Sequence, residues 1–114
     1  MNYDAVNLLA GQIRESEEVR EYQKLKSIVD ENETTRALLK EYKRLQMMVQ
    51  IASMSGHNMD SVETSRFQQI SSLLFAGTDT SRFLLAEMRL QQVLADIYST
   101  ISKASGINLE LPGM

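Results

Sequence analysis

The sequence predicts an all-α fold, a single-domain antiparallel helical bundle of about five helices with a long C-terminal helix. Three observations carry this reading. Apolar residues recur at spacings of three and four along most of the chain, the period of a helix with one buried face. No run of alternating β-branched residues flanked by turn pairs occurs. Capping residues and glycines fall at intervals that cut the periodic stretch into five pieces, and short connections between them favour antiparallel neighbours.

Asn2 or Asp4 caps a first short helix that reaches about Arg14 and sets Val6, Leu9, Ala10 and Ile13 on one side. Ser16 is a plausible new cap, and the two glutamates after it suit a helix N-terminus. The second helix runs to about Glu31 with Val19, Tyr22, Leu25 and Val29 inward. The spacing admits both two separate helices and one bent rod. Asn32 caps the third helix, about Glu33 to Ser55, whose inward side is Leu38, Tyr42, Leu45, Val49 and Ala52, and Gly56 ends it. Asp60 with Glu63 makes a capping box for the fourth, about Ser61 to Ala76, with Val62, Phe67, Ile70, Leu73 and Leu74 toward the core.

Gly77 stops the fourth helix, and the fifth follows from Thr78 to Ser105, with Thr78 or Asp79 as its cap and Gly106 past its end. About 25 helical residues make a rod of roughly 37 Å. Its stripe of Phe83, Ala86, Leu90, Val93, Leu94, Ile97, Ile101 and Ala104 needs cover from the other segments. The expected organisation is one helical domain over residues 1–105 and a tail over 106–114 that holds the only proline, Pro112, and trails along the surface.

Composition narrows the functions open to the chain. At 114 residues, 43% hydrophobic and 24% charged, it is built as a folded globular protein rather than a disordered one. A net charge of −3 argues against a dedicated nucleic-acid binder. The absence of cysteine removes disulfides, thiolate metal sites and a cysteine nucleophile. The N-terminal residues lack the pattern of a signal peptide, and no window approaches 18 uninterrupted apolar residues. The expected location is cytoplasmic.

Catalytic material is scarce. His57 is the sole histidine and falls in the GHNM loop, where an exposed loop residue is a better reading than a base or metal ligand. A di-iron carboxylate site needs Glu-x-x-His on two helices, and no glutamate stands three residues before His57. Neither a Gly-x-Ser-x-Gly elbow nor a phosphate-binding glycine loop is present. The expectation is therefore no enzyme, no catalytic or metal-ligating residues and no cofactor. An undetected hydrolase is the weakest alternative.

Two surface features remain. Arg36, Lys40, Lys43 and Arg44 lie opposite the apolar stripe of the third helix. They read as an ordinary solvated face, or as a face for an acidic partner or RNA phosphates, with Glu41 diluting the charge. The second feature is stronger: Leu84, Leu85 and Met88 project from the fifth helix away from its core stripe. Leu73, Leu74 and Phe75 add apolar surface just upstream, and Met47, Met48 and Met54 enrich the end of the third helix. Either the fifth helix has neighbours on two sides, or Leu84, Leu85, Met88 and Phe75 form a protein-interaction surface.

The residues also resemble a known family. Ala5, Leu9, Ala10, Ile13, Ser16, Glu17, Tyr22 and Lys26 form one match, Tyr42 and Gln46 a second, and Ala86-Glu87, Leu90, Leu94, Asp96-Ile97 and Ile101 a third. This pattern resembles the YlbF/YmcA family, with its YheA-like relatives, of small bacterial helical regulators. The resemblance implies a non-enzymatic adaptor that works through protein–protein contacts, as a homo-oligomer (a dimer) or with related family members. It further implies an influence on competence, sporulation and biofilm formation through an mRNA-processing ribonuclease complex. The apolar windows and the net charge add the expectation of no membrane partner and no direct nucleic-acid contact. Some family complexes hold iron–sulfur clusters on cysteines, a property that a chain without cysteine does not inherit. The alternative to the adaptor is a weak RNA-binding accessory using the basic face of the third helix.

Overall fold

A computed structural model of the chain describes residues 1–107. Five helices follow in order: α1 (Asp4–Arg14), α2 (Glu17–Asp30), α3 (Glu33–Ser55), α4 (Ser61–Ala76) and α5 (Thr78–Ser105). The described residues contain no strand. The all-α expectation holds, and four of the five helices have the expected limits; α2 ends one residue early. The tail beyond Ile107, including Pro112, lies outside the described residues.

Local chemistry explains the ends. Asn2 Oδ1 accepts the Asp4 N–H at 2.8 Å, although Tyr3 itself occupies the N-cap of α1. Ser16 resolves the question of the first two helices. Its Oγ accepts from Val19 N at 3.3 Å and donates to Ile13 O at 2.7 Å, so one hydroxyl starts α2 while binding the last turn of α1. They are two helices with a break at Glu15–Ser16. Asn32 Oδ1 accepts from Thr35 N at 3.0 Å, and Asp60 Oδ1 from Glu63 N at 2.8 Å. Each satisfies a backbone donor that the helix itself leaves unpaired.

Glycine closes α3 for a conformational reason. Gly56 has φ 75° and its N–H returns to Ala52 O, the left-handed cap that a Cβ disfavours. Gly77 serves a different need, because its φ of −79° is open to any residue. A Cβ there would stand 2.5 Å from Thr80 Oγ1. That hydroxyl donates to Leu74 O, the carbonyl left open at the end of α4, so the space above Gly77 is already taken. Gly77 also accepts Ser81 N–H, which makes it the residue preceding α5. Thr78 and Asp79 accordingly sit inside the first turn of α5 instead of capping it, contrary to the expectation.

The residues gather into two compact units. One comprises Lys24–Phe83: the end of α2, all of α3 and α4, and the first residues of α5. Its core is Leu25, Val29, Leu39, Tyr42, Leu45, Ile70, Leu74 and Phe83, all buried. Here α3 and α4 pack together, and they run antiparallel, since Arg44 reaches Glu63 while Glu41 reaches Arg66. Tyr42 stacks on Phe67 with ring centroids 5.5 Å apart and meets Phe75 edge-on at 6.5 Å, an arrangement that suits the ring quadrupoles.

The other unit holds α1, the start of α2 through Gln23, and α5 from Leu84 onward. Leu84 and Ala86 are buried, while Leu9, Ile13, Val19, Tyr22, Leu90, Val93 and Ile97 are half-buried.

Several facing assignments change. Leu39, absent from the expected core, is buried, and Leu38 is half-buried. Val62 and Leu73, expected inward, are 73% and 61% exposed. The cause is angular. At about 100° per residue, Phe67, Ile70 and Leu74 share one sector, and Leu73 and Val62 lie about 60° and about 80° outside it. Val49, Leu94 and Ile101 are likewise more exposed than their stripes imply.

Candidate functional site

Surfaces of α3, α4 and α5 carry the residues singled out from sequence. On α5, Leu84 is 2% exposed, whereas Leu85 and Met88 are 57% and 55% exposed. The expectation that all three project outward is corrected for Leu84. It follows Phe83 by about 100° and Ala86 precedes Phe83 by about 60° on the helical wheel, so the buried sector at this level is broad. Leu85 and Met88, three apart, face the other way as a pair. Phe75, on α4, is 44% exposed while still giving its ring edge to Tyr42. The open parts of Leu85 and Met88 come to roughly 200 Å², and removing them from water is worth about 5 kcal/mol.

On α3 the four basic residues have unequal roles. Arg44 is committed to structure. Its Nε donates to Glu41 Oε2 at 3.1 Å and its Nη2 to Glu41 Oε1 at 2.6 Å, a two-pronged pairing. Nη2 also reaches Glu63 Oε2 on α4 at 3.4 Å, and Nη1 donates to Met48 Sδ at 3.1 Å. Arg66 of α4 returns the link, with its Nε 3.4 Å from Glu41 Oε1. Two arginines and two glutamates thereby tie α3 to α4. Sequence reasoning took Glu41 as a dilution of the basic face; it is the hub of this network. Lys43 is half-buried, and burial lowers its pKa. Arg36 and Lys40 stand exposed, without an ion pair among the described residues.

The network has a titration signature. The hydrogen bond from Arg44 is the largest influence on the Glu41 carboxyl and holds it below the usual glutamate value, with the charges of Arg44 and Arg66 acting the same way against partial desolvation. A carboxylate with a lowered folded-state pKa stabilises the fold above its ordinary pKa, and that contribution fades as pH falls through the lowered one. Carbon-detected NMR titration should place the Glu41 midpoint below 4.5. Arg44→Gln should bring it back toward that value. A midpoint at 4.5 in both proteins would show that the pairing does not persist in solution. Tyr42, at the α3–α4 contact, has its phenol pKa raised by burial.

His57 is exposed in the α3–α4 connection, beside a shallow hollow lined by Val49, Ala52, Asn58, Met59 and Thr64. No group of three or more potential metal ligands comes together among the described residues. Within the same residues no helix is long and apolar enough to cross a membrane.

Known proteins resemble this chain in sequence or in fold. A UPF0342 protein of Halothermothrix orenii is 30% identical over 95 residues, covering 83% of this chain and 80% of that protein. Another UPF0342 protein, from Caldicellulosiruptor saccharolyticus, is 25% identical over 112 residues, 98% of this chain and 93% of its own. Among solved structures, a protein of unknown function (DUF964) from Bacillus stearothermophilus superposes with a TM-score of 0.72 at 17% identity, covering 91% of both chains. Bacillus subtilis RicA, crystallised in complex with RicF, superposes with a TM-score of 0.57 at 18% identity over 90% of each. At these identities the two structures speak to fold. None of these descriptions is that of an enzyme. The model of the family described as "control of competence regulator ComK, YlbF/YmcA" matches residues 2–104, and the chain belongs to that family.

Proposed function

We propose that this protein is a cytoplasmic, non-enzymatic regulator that acts by helix-mediated association, with its own copies or with related family members. The observation that carries the reading is the outward pair Leu85 and Met88 on α5, more than half exposed in a helix whose opposite side is already buried. Phe75 on α4 is a further apolar contact residue. Apolar side chains of this size in adjacent turns mark contact surfaces, and methionine adapts to more than one partner shape. RicA, whose fold is similar, occurs in a complex with RicF, and association of this kind between family members is the behaviour proposed here. Family membership further supports a role in competence, sporulation or biofilm control, through an mRNA-processing ribonuclease complex.

Light scattering on the purified chain tests the reading. At about 100 µM the wild type should exceed the monomer mass, because association shifts with concentration. The double variant Leu85→Glu, Met88→Glu should run as a monomer with unchanged helical circular dichroism. A wild type that stays monomeric, and gains no mass with co-expressed family members, would overturn the proposal.

A further inference from the structure

The outward side of α3 is amphipathic along its length instead of across it. Arg36, Lys40, Met47, Ile51 and Met54 fall within an arc of about 60° at 100° per residue, over a rise of about 27 Å. The first two are exposed cations; Met47, Ile51 and Met54 are 62%, 58% and 82% exposed. Glu33 opens this face one turn before Arg36; from Arg36 onward it is basic and then apolar. The open area of its three apolar residues is on the order of 400 Å², the size of a functional surface patch and about half of what a globular partner would cover. Such a strip fits one helix.

We infer that this face docks an amphipathic helix of another protein, with carboxylates at one end to meet Arg36 and Lys40 and aliphatic side chains at the other to cover Met47, Ile51 and Met54. Charge complementarity selects the occupant. Two copies of this face paired antiparallel would set Arg36 and Lys40 against Met54 and Ile51, leaving cations over apolar surface. Paired parallel, they would set cation against cation. Self-pairing is therefore disfavoured in both directions. RNA would use the basic half alone and leave the methionines uncovered. The engagement of Arg44 and the half-burial of Lys43 also leave few cations for phosphates. The surface extends the adaptor reading and rests on it for the premise that the chain works by docking, although it uses residues separate from Leu85 and Met88.

The probe is a labelled synthetic helix of about 20 residues, with three leucines in one half and three glutamates in the other on a single face. Its scrambled isomer and a single-stranded RNA of similar length serve as comparisons. Fluorescence anisotropy should show binding to the full chain that the scrambled peptide lacks, weakening several-fold between about 50 and about 300 mM salt. The double variants Arg36→Glu, Lys40→Glu and Met47→Ser, Ile51→Ser should each weaken it about tenfold. The double variant Leu85→Glu, Met88→Glu should leave it unchanged, which separates this surface from self-association through α5. Equal binding of the scrambled peptide, indifference to the α3 variants, or loss of binding only in the α5 variant would overturn the inference. So would tighter binding of RNA that responds to the charge reversals alone, or a loss of oligomer mass in the Met47→Ser, Ile51→Ser protein.

Discussion

Leu84→Glu should destabilise the fold by more than about 4 kcal/mol, while Leu85→Glu, one residue on, should leave the monomer's stability within about 0.5 kcal/mol of the wild type. Leu84 is 2% exposed and Leu85 57% exposed, so the same carboxylate enters the interior in one case and water in the other. No buried polar or charged residue exists among the described residues to receive it. An unpaired buried carboxylate must be desolvated or protonated, and the cost of either, with the lost leucine packing, exceeds about 4 kcal/mol. That is a large share of the roughly 5–15 kcal/mol typical of a whole domain. Thermal melts followed by circular dichroism give the comparison. Leu85→Glu should also reduce any dependence of the melting temperature on protein concentration, because it removes an association contact and not a core contact. A Leu84→Glu protein that melts with the Leu85→Glu protein would place that side chain outside the core.

The second large effect lies in the unit built on α3 and α4. Leu45 has no exposed surface and sits one turn from Tyr42, whose ring joins Phe67 and Phe75 of α4. Leu45→Ala should cost about 2–5 kcal/mol, combining lost transfer energy with the cavity left behind. Because Leu45 is wholly enclosed, the upper half of the range is expected. Chemical denaturation would show the loss as a lower midpoint with unchanged slope. Leu94→Ala is the control, since Leu94 is 43% exposed and has less buried surface to lose. Similar losses at Leu45 and Leu94 would contradict the assignment of Leu45 to the core.

These two tests also mark what the sequence could tell and where it stopped. Helix ends are local events: Asn32, Asp60, Ser16, Gly56 and Gly106 act on backbone groups within a few residues, so the same residues that signal a boundary produce it. Which way a side chain faces is a tertiary matter. Leu39 lies next to Leu38, and Leu84 lies between the core stripe of α5 and Met88. Periodicity alone could not say how wide a sector the neighbours would cover. The same limit applied to the candidate surface. Arg36 and Arg44 look alike in sequence; Glu41, three residues before Arg44, gives it a local partner, but the tie to α4 depends on the fold bringing Glu63 and Arg66 alongside. The run Met47, Ile51, Met54 had a legible signal, because its spacing of four and three continues that of Arg36, Lys40 and Lys43.

The joints between helices are very short: two residues after α1, two after α2, five between α3 and α4, and Gly77 alone before α5. Many proteins acquire new specificity by lengthening or exchanging such segments over an unchanged frame. This architecture offers almost no material of that kind. Its vocabulary for choosing partners is the set of outward side chains on rigid rods, and a change of partner would be composed one substitution at a time.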